Sequence, residues 1–268
     1  MSNIDSTSSD VPISSGDIAT DLEAESFRLD PYLVSLMLHE PFFSSILRVF
    51  DKIKTDSIPT AGICVKDQGA SLYWNPKFLA SLESIRVRGL LKHECYHLIF
   101  KHCTARKHTP HLLWNWGTDL AINSLIPESE LPELGLIPGK AFDLTQIKDK
   151  EKLKKWEKVS KLIASLPKCK AAEWYFAKLQ EDKDIKETIE NAQDSDVIFT
   201  DDHDAWGDMS DEDRQIVEGK IKKILADAVK KCDSSGHWGS VGSSVQSQLR
   251  EMVSNEVPWD SLLRNFVG

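Results

Sequence analysis

The stretch Arg86–His102, RVRGLLKHECYHLIFKH, constrains this chain more than any other. Its spacing predicts a helix from residue 83 to about 104. Ile85, Leu90, Leu91, Leu98 and Ile99 give that helix a buried side, and a helix apolar on most faces belongs in a core. Yet its middle carries His93, Glu94 and His97. The rest of the chain has to be organised around these three side chains.

Two histidines four apart on a helix project about 40° from one another, roughly one turn apart along the axis. Both rings can reach one metal ion. Glu94 can meet a water on that metal, so the run is the H-E-x-x-H arrangement of zinc peptidases. Neutral imidazole suits zinc (Zn2+), and a catalytic zinc keeps three protein ligands and one open position. His93 and His97 supply two ligands, with Glu94 as the expected general base. On a continuous helix His102 points about 140° away from His97 and cannot join unless the helix breaks. His108 and His111 lie in an expected loop and remain candidates. Asp119 is the stronger third ligand, because it falls on the next helix, where the chain has turned back. Asn123 lies one turn further on the same face, placed to hydrogen-bond a ligand histidine.

The 268 residues suffice for one large domain, or a domain with an appended subdomain. A net charge of -9 argues against a nucleic-acid binder with a general basic surface. No apolar run is long enough to cross a membrane. The polar, acidic N-terminus is not a secretory signal. Five cysteines, an odd number without a C-x-x-C, argue against a disulfide framework and for a cytoplasmic protein. Cys95 points about 100° away from the neighbouring histidines and reads as a small buried apolar residue.

Along the chain, residues 1–28 read as a disordered or loosely docked tail. PYLVSLMLHEPFFSSILRVFDKI has helical spacing, broken in two by Pro41. Ile63 and Val65 alternate with polar residues before Asp67-Gln68-Gly69, then Leu72, Tyr73 and Trp74 follow, which reads as a β-hairpin. A second helix is expected from about Leu113 to Ile126. The charged stretch 146–191 reads as a pair of solvated amphipathic helices around Trp156 and Trp174. A helix over 211–231 is expected with Ser210 as N-cap, and a last one over 244–254. The fold class is α+β and helix-rich, with the active-site helix packed on a small sheet. The expected divisions are 1–28 (tail), 29–145 (metal-binding core), 146–200 (charged helical insertion) and 201–268 (a C-terminal helical part packing on the core).

HECYHLIFKHCTAR followed by WNWGTDLAIN resembles the metallopeptidase domain found before a von Willebrand factor A-like domain. The matching residues are His93, Glu94, His97, His102 and Arg106, then Trp114, Asn115, Asp119, Ile122 and Asn123. GLIPG at 135–139, the DDHDAW stretch and the closing VPWDSLLRNFV are similar too. The resemblance covers about residue 31 to the end. It implies a zincin-like fold, with the motif helix under a small sheet whose edge takes extended polypeptide by β-augmentation. It also implies association with a von Willebrand factor A-like domain and with a MoxR-type AAA+ ATPase.

Among the remaining groups, Asp201-Asp202-His203-Asp204 could bind a second cation, or place His203 as an oxyanion stabiliser in catalysis. His237 is a weaker version of the same idea. Arg106 could pair with Asp119 or another core carboxylate, or simply extend its head to water. The glycine-serine loop at 236–243 lacks the lysine of a phosphate loop. The leading expectation is a zinc metallopeptidase. The alternative is a metal-stabilised, non-enzymatic interaction or assembly module, which a fourth protein ligand on the metal would favour.

Overall fold

The computed structural model describes residues 20–66, 69–102, 108–133, 135–192 and 210–254. The chain is a helix-rich α+β protein, in which helices surround one small three-stranded sheet. Helices α2 (Asp30–His39) and α3 (Pro41–Leu47) are separated at Glu40. Proline at the first position of α3 ends one helix and starts the next, because it lacks an N–H that a first turn leaves unused anyway.

The helical pattern does not continue through Asp51-Lys52-Ile53, as the spacing had predicted. Arg48 caps α3, Phe50 turns inward, and Asp51–Lys54 forms strand β1. This strand exists through pairing rather than pattern. It runs parallel to β3 (Gly69–Trp74), with Lys52 opposite Leu72 and Lys54 opposite Trp74. Strand β2 (Ala61–Lys66) pairs antiparallel with β3 as the expected hairpin, and the order is β1-β3-β2. Ile63, Val65, Leu72 and Trp74 come from one face and are buried. β2 is therefore an edge strand.

Within the stretch read as a tail, Asp21–Ser26 forms helix α1. Thr20 and Glu23 cap it reciprocally, each side chain meeting the other's backbone N–H. Ala24 and Phe27 are buried, and Asp21 pairs with Lys77 of α4 (Pro76–Ser81). Helix α5 (Ser84–Ile99) is the central one, and twelve of its residues, Val87 and Gly89–Ile99, are buried. Gly89 lets it approach the 3-10 turn Glu128–Glu130, where a Cβ would overlap the Glu130 carbonyl.

Helix α6 (His111–Asn123) follows the cis Thr109–Pro110 bond. The charged segment holds three helices rather than two: α7 (Lys150–Ser165), α8 (Ala172–Gln180) and α9 (Lys183–Glu190). Asp182, accepting from the Asp184 and Ile185 amides, starts the extra one. Helices α10 (Asp211–Ser235) and α11 (Ser243–Ser254) complete the described chain, with Ser210 capping α10 as expected.

Two apolar clusters result. One joins the sheet, α2, α3, α5, α10 and α11. The other, rich in aromatic side chains, joins α6 to α7, α8 and α9 through residues such as Trp114, Trp116, Trp156 and Tyr175. Helix α6 contributes to both: Ile122 faces the first cluster, and Leu113, Trp114 and Leu120 the second.

A buried ionic cluster staples the N-terminal half to the rest. The Lys92 ammonium lies 2.8 Å from Glu130 Oε2 and 3.3 Å from Glu40 Oε1, and donates to Ser240 Oγ at 2.9 Å. Glu40 Oε2 accepts from the Ser240 amide at 2.8 Å, and Arg88 stands 3.5 Å from Glu130.

Candidate metal centre

Three donor atoms converge where α5 meets α6. His93 Nε2 and His97 Nε2 are 2.8 Å apart, and Asp119 Oδ1 lies 3.5 Å and 3.3 Å from them respectively. The three residues form the group, among the described residues, whose ligand atoms all lie within 4.8 Å of one another and could hold a metal ion. All three are buried, His97 completely. Helical spacing explains the convergence. His93 and His97 share one face of α5, and Asp119 and Asn123 share one face of α6.

The site's dimensions fit a small tetrahedral ion. With metal–ligand bonds of ~2.0–2.1 Å, tetrahedral ligand atoms stand about 3.3–3.4 Å apart. The two distances to Asp119 match. The His93–His97 separation is shorter and is that of a hydrogen bond, so the two rings must part by about half an ångström around an ion. A cavity of about 30 Å³ lined by Leu90, His93, Asp119, Asn123 and Gly135 adjoins the donors.

Asn123 holds His93. Its Oδ1 accepts from His93 Nδ1 at 2.8 Å, and its Nδ2 donates to the Leu136 carbonyl at 2.8 Å. Leu136 belongs to the GLIPG stretch, so that irregular segment orients a ligand-bearing ring through one amide. Such partners fix the tautomer and the plane of a metal-binding imidazole.

Glu94, wholly buried, faces the sheet. Its Oε2 accepts from the Ile63 amide at 3.0 Å. Ile63 stands opposite Leu72, and its N–H points away from β3 along the open edge of β2. The carboxylate therefore sits between the two histidines in sequence and the sheet edge in space. Cys95 points the other way, its thiol toward the Phe43 carbonyl at 4.0 Å, and burial pushes its pKa well up. It is a packed neutral thiol.

A continuous helix would turn His102 away from His97, but the helix breaks before it. Helix α5 stops at Ile99, and Lys101 takes a left-handed φ of 59°. The Lys101 amide donates to the Leu98 carbonyl and the His102 amide to the His97 carbonyl. This is a Schellman stop, which brings the residue after the left-handed one back against the last turn. His102 Nδ1 consequently lies 3.2 Å from His97 Nδ1. It touches the far side of a candidate ligand and is not among the three converging donors.

The other candidates lie elsewhere. The ring of His108 packs on Trp114 and Phe176, with centroids 4.4 Å and 5.5 Å away, and His111 opens α6. His237 is exposed just past α10. His203, with Asp201, Asp202 and Asp204, and Arg106 lie outside the described residues, as do Cys103 and the closing VPWDSLLRNFVG. Asn115, one turn before Asp119 on α6, carries a buried Oδ1 without a hydrogen-bond partner among the described residues.

No helix of the described chain is long and apolar enough to cross a membrane. No curated protein matches the chain, and no solved structure matches it. A family model does match, over residues 24–268, and its description is "Putative metallopeptidase domain". That span takes in both histidines, Glu94, Asp119 and nearly all the surrounding fold, and the chain belongs to this metallopeptidase-domain family.

Proposed function

We propose that the protein is a zinc-dependent peptidase, with His93, His97 and Asp119 as metal ligands and Glu94 as general base. The observation that carries this reading is the convergence of two imidazole nitrogens and one carboxylate oxygen at the α5–α6 contact. Two nitrogens and one oxygen suit zinc better than the hard cations, which favour all-oxygen sites. A zinc ion held there supplies a Lewis acid that polarises a carbonyl and makes water acidic near neutral pH.

The chain's own residues do the rest. Glu94 takes a proton on its carboxylate as water adds to the scissile carbonyl, and returns it to the departing amine. The Ile63 N–H bond fixes the rotation of that carboxylate. The same bond ties the base to the edge of β2, where an extended polypeptide can add through main-chain hydrogen bonds. A substrate strand laid there passes beside Glu94. Asn123 keeps His93 in the tautomer whose Nε2 offers a lone pair.

The test is a comparison of wild type with Glu94→Gln. Both proteins are expected to hold one zinc per chain by elemental analysis. The variant is expected to cleave an unstructured polypeptide about 10²–10⁴-fold more slowly. A Glu94→Gln protein as active as wild type would sink the proposal.

A further inference from the structure

The cavity beside the metal-binding atoms is walled elsewhere by carbon. Leu90 stands three residues before His93 on α5, and the two share a face. Phe78 of α4 and the turn that carries Leu131, Pro132 and Gly135 complete the lining. Leu90 and Leu131 are buried, whereas Phe78, Pro132 and Gly135 are half-buried, so the mouth lies among the last three. The turn is held by the protein's own bonds. Arg86 donates to the Leu131 carbonyl at 2.9 Å, and the Gly135 amide donates to the Pro132 carbonyl at 2.9 Å. A Cβ at Gly135 would stand 3.0 Å from that same Pro132 oxygen, so glycine lets the turn close. Pockets for small groups are largely preformed and apolar, with a few polar atoms that fix orientation. Here the polar part is the metal centre, through His93, Asp119 and Asn123.

We propose that this cavity receives the side chain of a substrate residue flanking the scissile bond, and that it selects a short aliphatic one such as alanine or valine. The inference rests on the peptidase reading, with the ion held by His93, His97 and Asp119. A scissile carbonyl placed at that ion brings the neighbouring side chain to the cavity, because His93 and Asp119 belong to both. Size sets one limit. A cavity of about 30 Å³ holds roughly two waters, which is room for a methyl or isopropyl group and too little for an aromatic ring. Charge sets the other. No lysine or arginine lines the cavity, and Asp119 is engaged as a ligand, so an ionised side chain would lose its water against carbon walls without a counter-charge of its own.

The experiment loads the full chain with zinc chloride and offers it a mixture of unstructured peptides carrying every residue at each position, with the cut sites read by mass spectrometry. One position flanking the cut is expected to favour alanine and valine over phenylalanine, aspartate and lysine by about 10–200-fold. Phe78→Ala, which takes away part of a wall, is expected to move that preference toward leucine and methionine at unchanged zinc content, and Leu131→Ala likewise. Binding gives a readout free of turnover. Zinc-loaded Glu94→Gln is expected to hold the preferred peptide about 10–200-fold more tightly than the same peptide with phenylalanine at the selected position, and Phe78→Ala in that background is expected to narrow the gap. Cleavage without preference at either flanking position overturns the proposal, as does a preference that both wall substitutions leave unchanged. If neither variant folds, the wild-type cut sites and the Glu94→Gln binding decide. Wild type that holds no zinc, or holds it and cuts no peptide, overturns the peptidase reading itself and this proposal with it.

Discussion

Two buried polar clusters sit side by side on α5, one centred on Lys92 and the other on His93, Glu94 and His97. They start from adjacent residues and face different neighbours. Around Lys92 every charge meets its opposite: the ammonium touches Glu130 and Glu40, and the second Glu40 oxygen is taken by the Ser240 amide. That cluster is closed and binds α5 to the α2–α3 junction, the Glu128–Glu130 turn and the loop after α10. At the second cluster the outer atoms are spoken for, with His93 Nδ1 on Asn123, His97 Nδ1 on His102 and Glu94 Oε2 on Ile63. The inner atoms, two Nε2 and one carboxylate oxygen, converge instead. Burial alone does not separate a structural polar group from a functional one. What separates them is whether the partners use up the charges or aim the lone pairs.

The largest expected effect separates the clusters by stability. Lys92→Ala leaves the buried Glu40 carboxylate without its cation and Glu130 with Arg88 alone, and breaking such a pair costs about 3–5 kcal/mol. Urea unfolding should register this loss equally with and without zinc. A Lys92→Ala protein that folds normally but no longer takes up zinc would collapse the distinction.

Next in size is the metal's own contribution. Free zinc at about 100 times its dissociation constant should stabilise wild type by ~2.7 kcal/mol, through binding the folded state alone. His97→Ala should lose that increment, whatever the cavity left by its buried ring costs the metal-free protein. Calorimetric scans of both proteins, with chelator and with zinc, read the two numbers directly. A zinc-dependent increment that survives in His97→Ala would place the ion elsewhere.

The smallest effect sharpens the comparison within the metal cluster. Asn123→Ala removes the acceptor for His93 Nδ1 and should weaken zinc binding by about 10–100-fold. Chelator competition measures it. An unchanged affinity would mean that packing alone aims His93.

Much of this arrangement was readable from spacing. Histidines four apart, and Asp119 and Asn123 four apart, can only share faces once both stretches are helical, and Pro41 and the Ile63–Val65 alternation marked the neighbouring elements. Strand β1 was not readable, since DKIK carries one apolar residue, and its ladder comes from β3 rather than from its own pattern. The third helix of the charged segment was hidden because mixed charges gave no breaker between α8 and α9 other than the Asp182 cap. The helix stop just before His102 was hidden for a sharper reason. A helix stop in the left-handed region is normally announced by glycine, and here the residue is Lys101. Lys101 is buried and its ammonium reaches Glu218 of α10 at 2.6 Å, so tertiary contact holds a backbone conformation that the residue type does not advertise. Gly89 and Glu130 touch for a similar reason, through a long-range approach that local spacing does not record.

The bond from the Ile63 amide to Glu94 bears also on how copies of this molecule meet one another. An edge strand with its outward N–H groups bare is a template for a strand from a second chain, and proteins guard such edges against aggregation. On β2 an outward donor in the middle of the strand is spent inside the molecule, on a buried carboxylate carried by the neighbouring helix. A strand laid along this edge, substrate or second copy, therefore has to pair at positions other than the Ile63 amide, and the side chain proposed as the base also sets which positions those are.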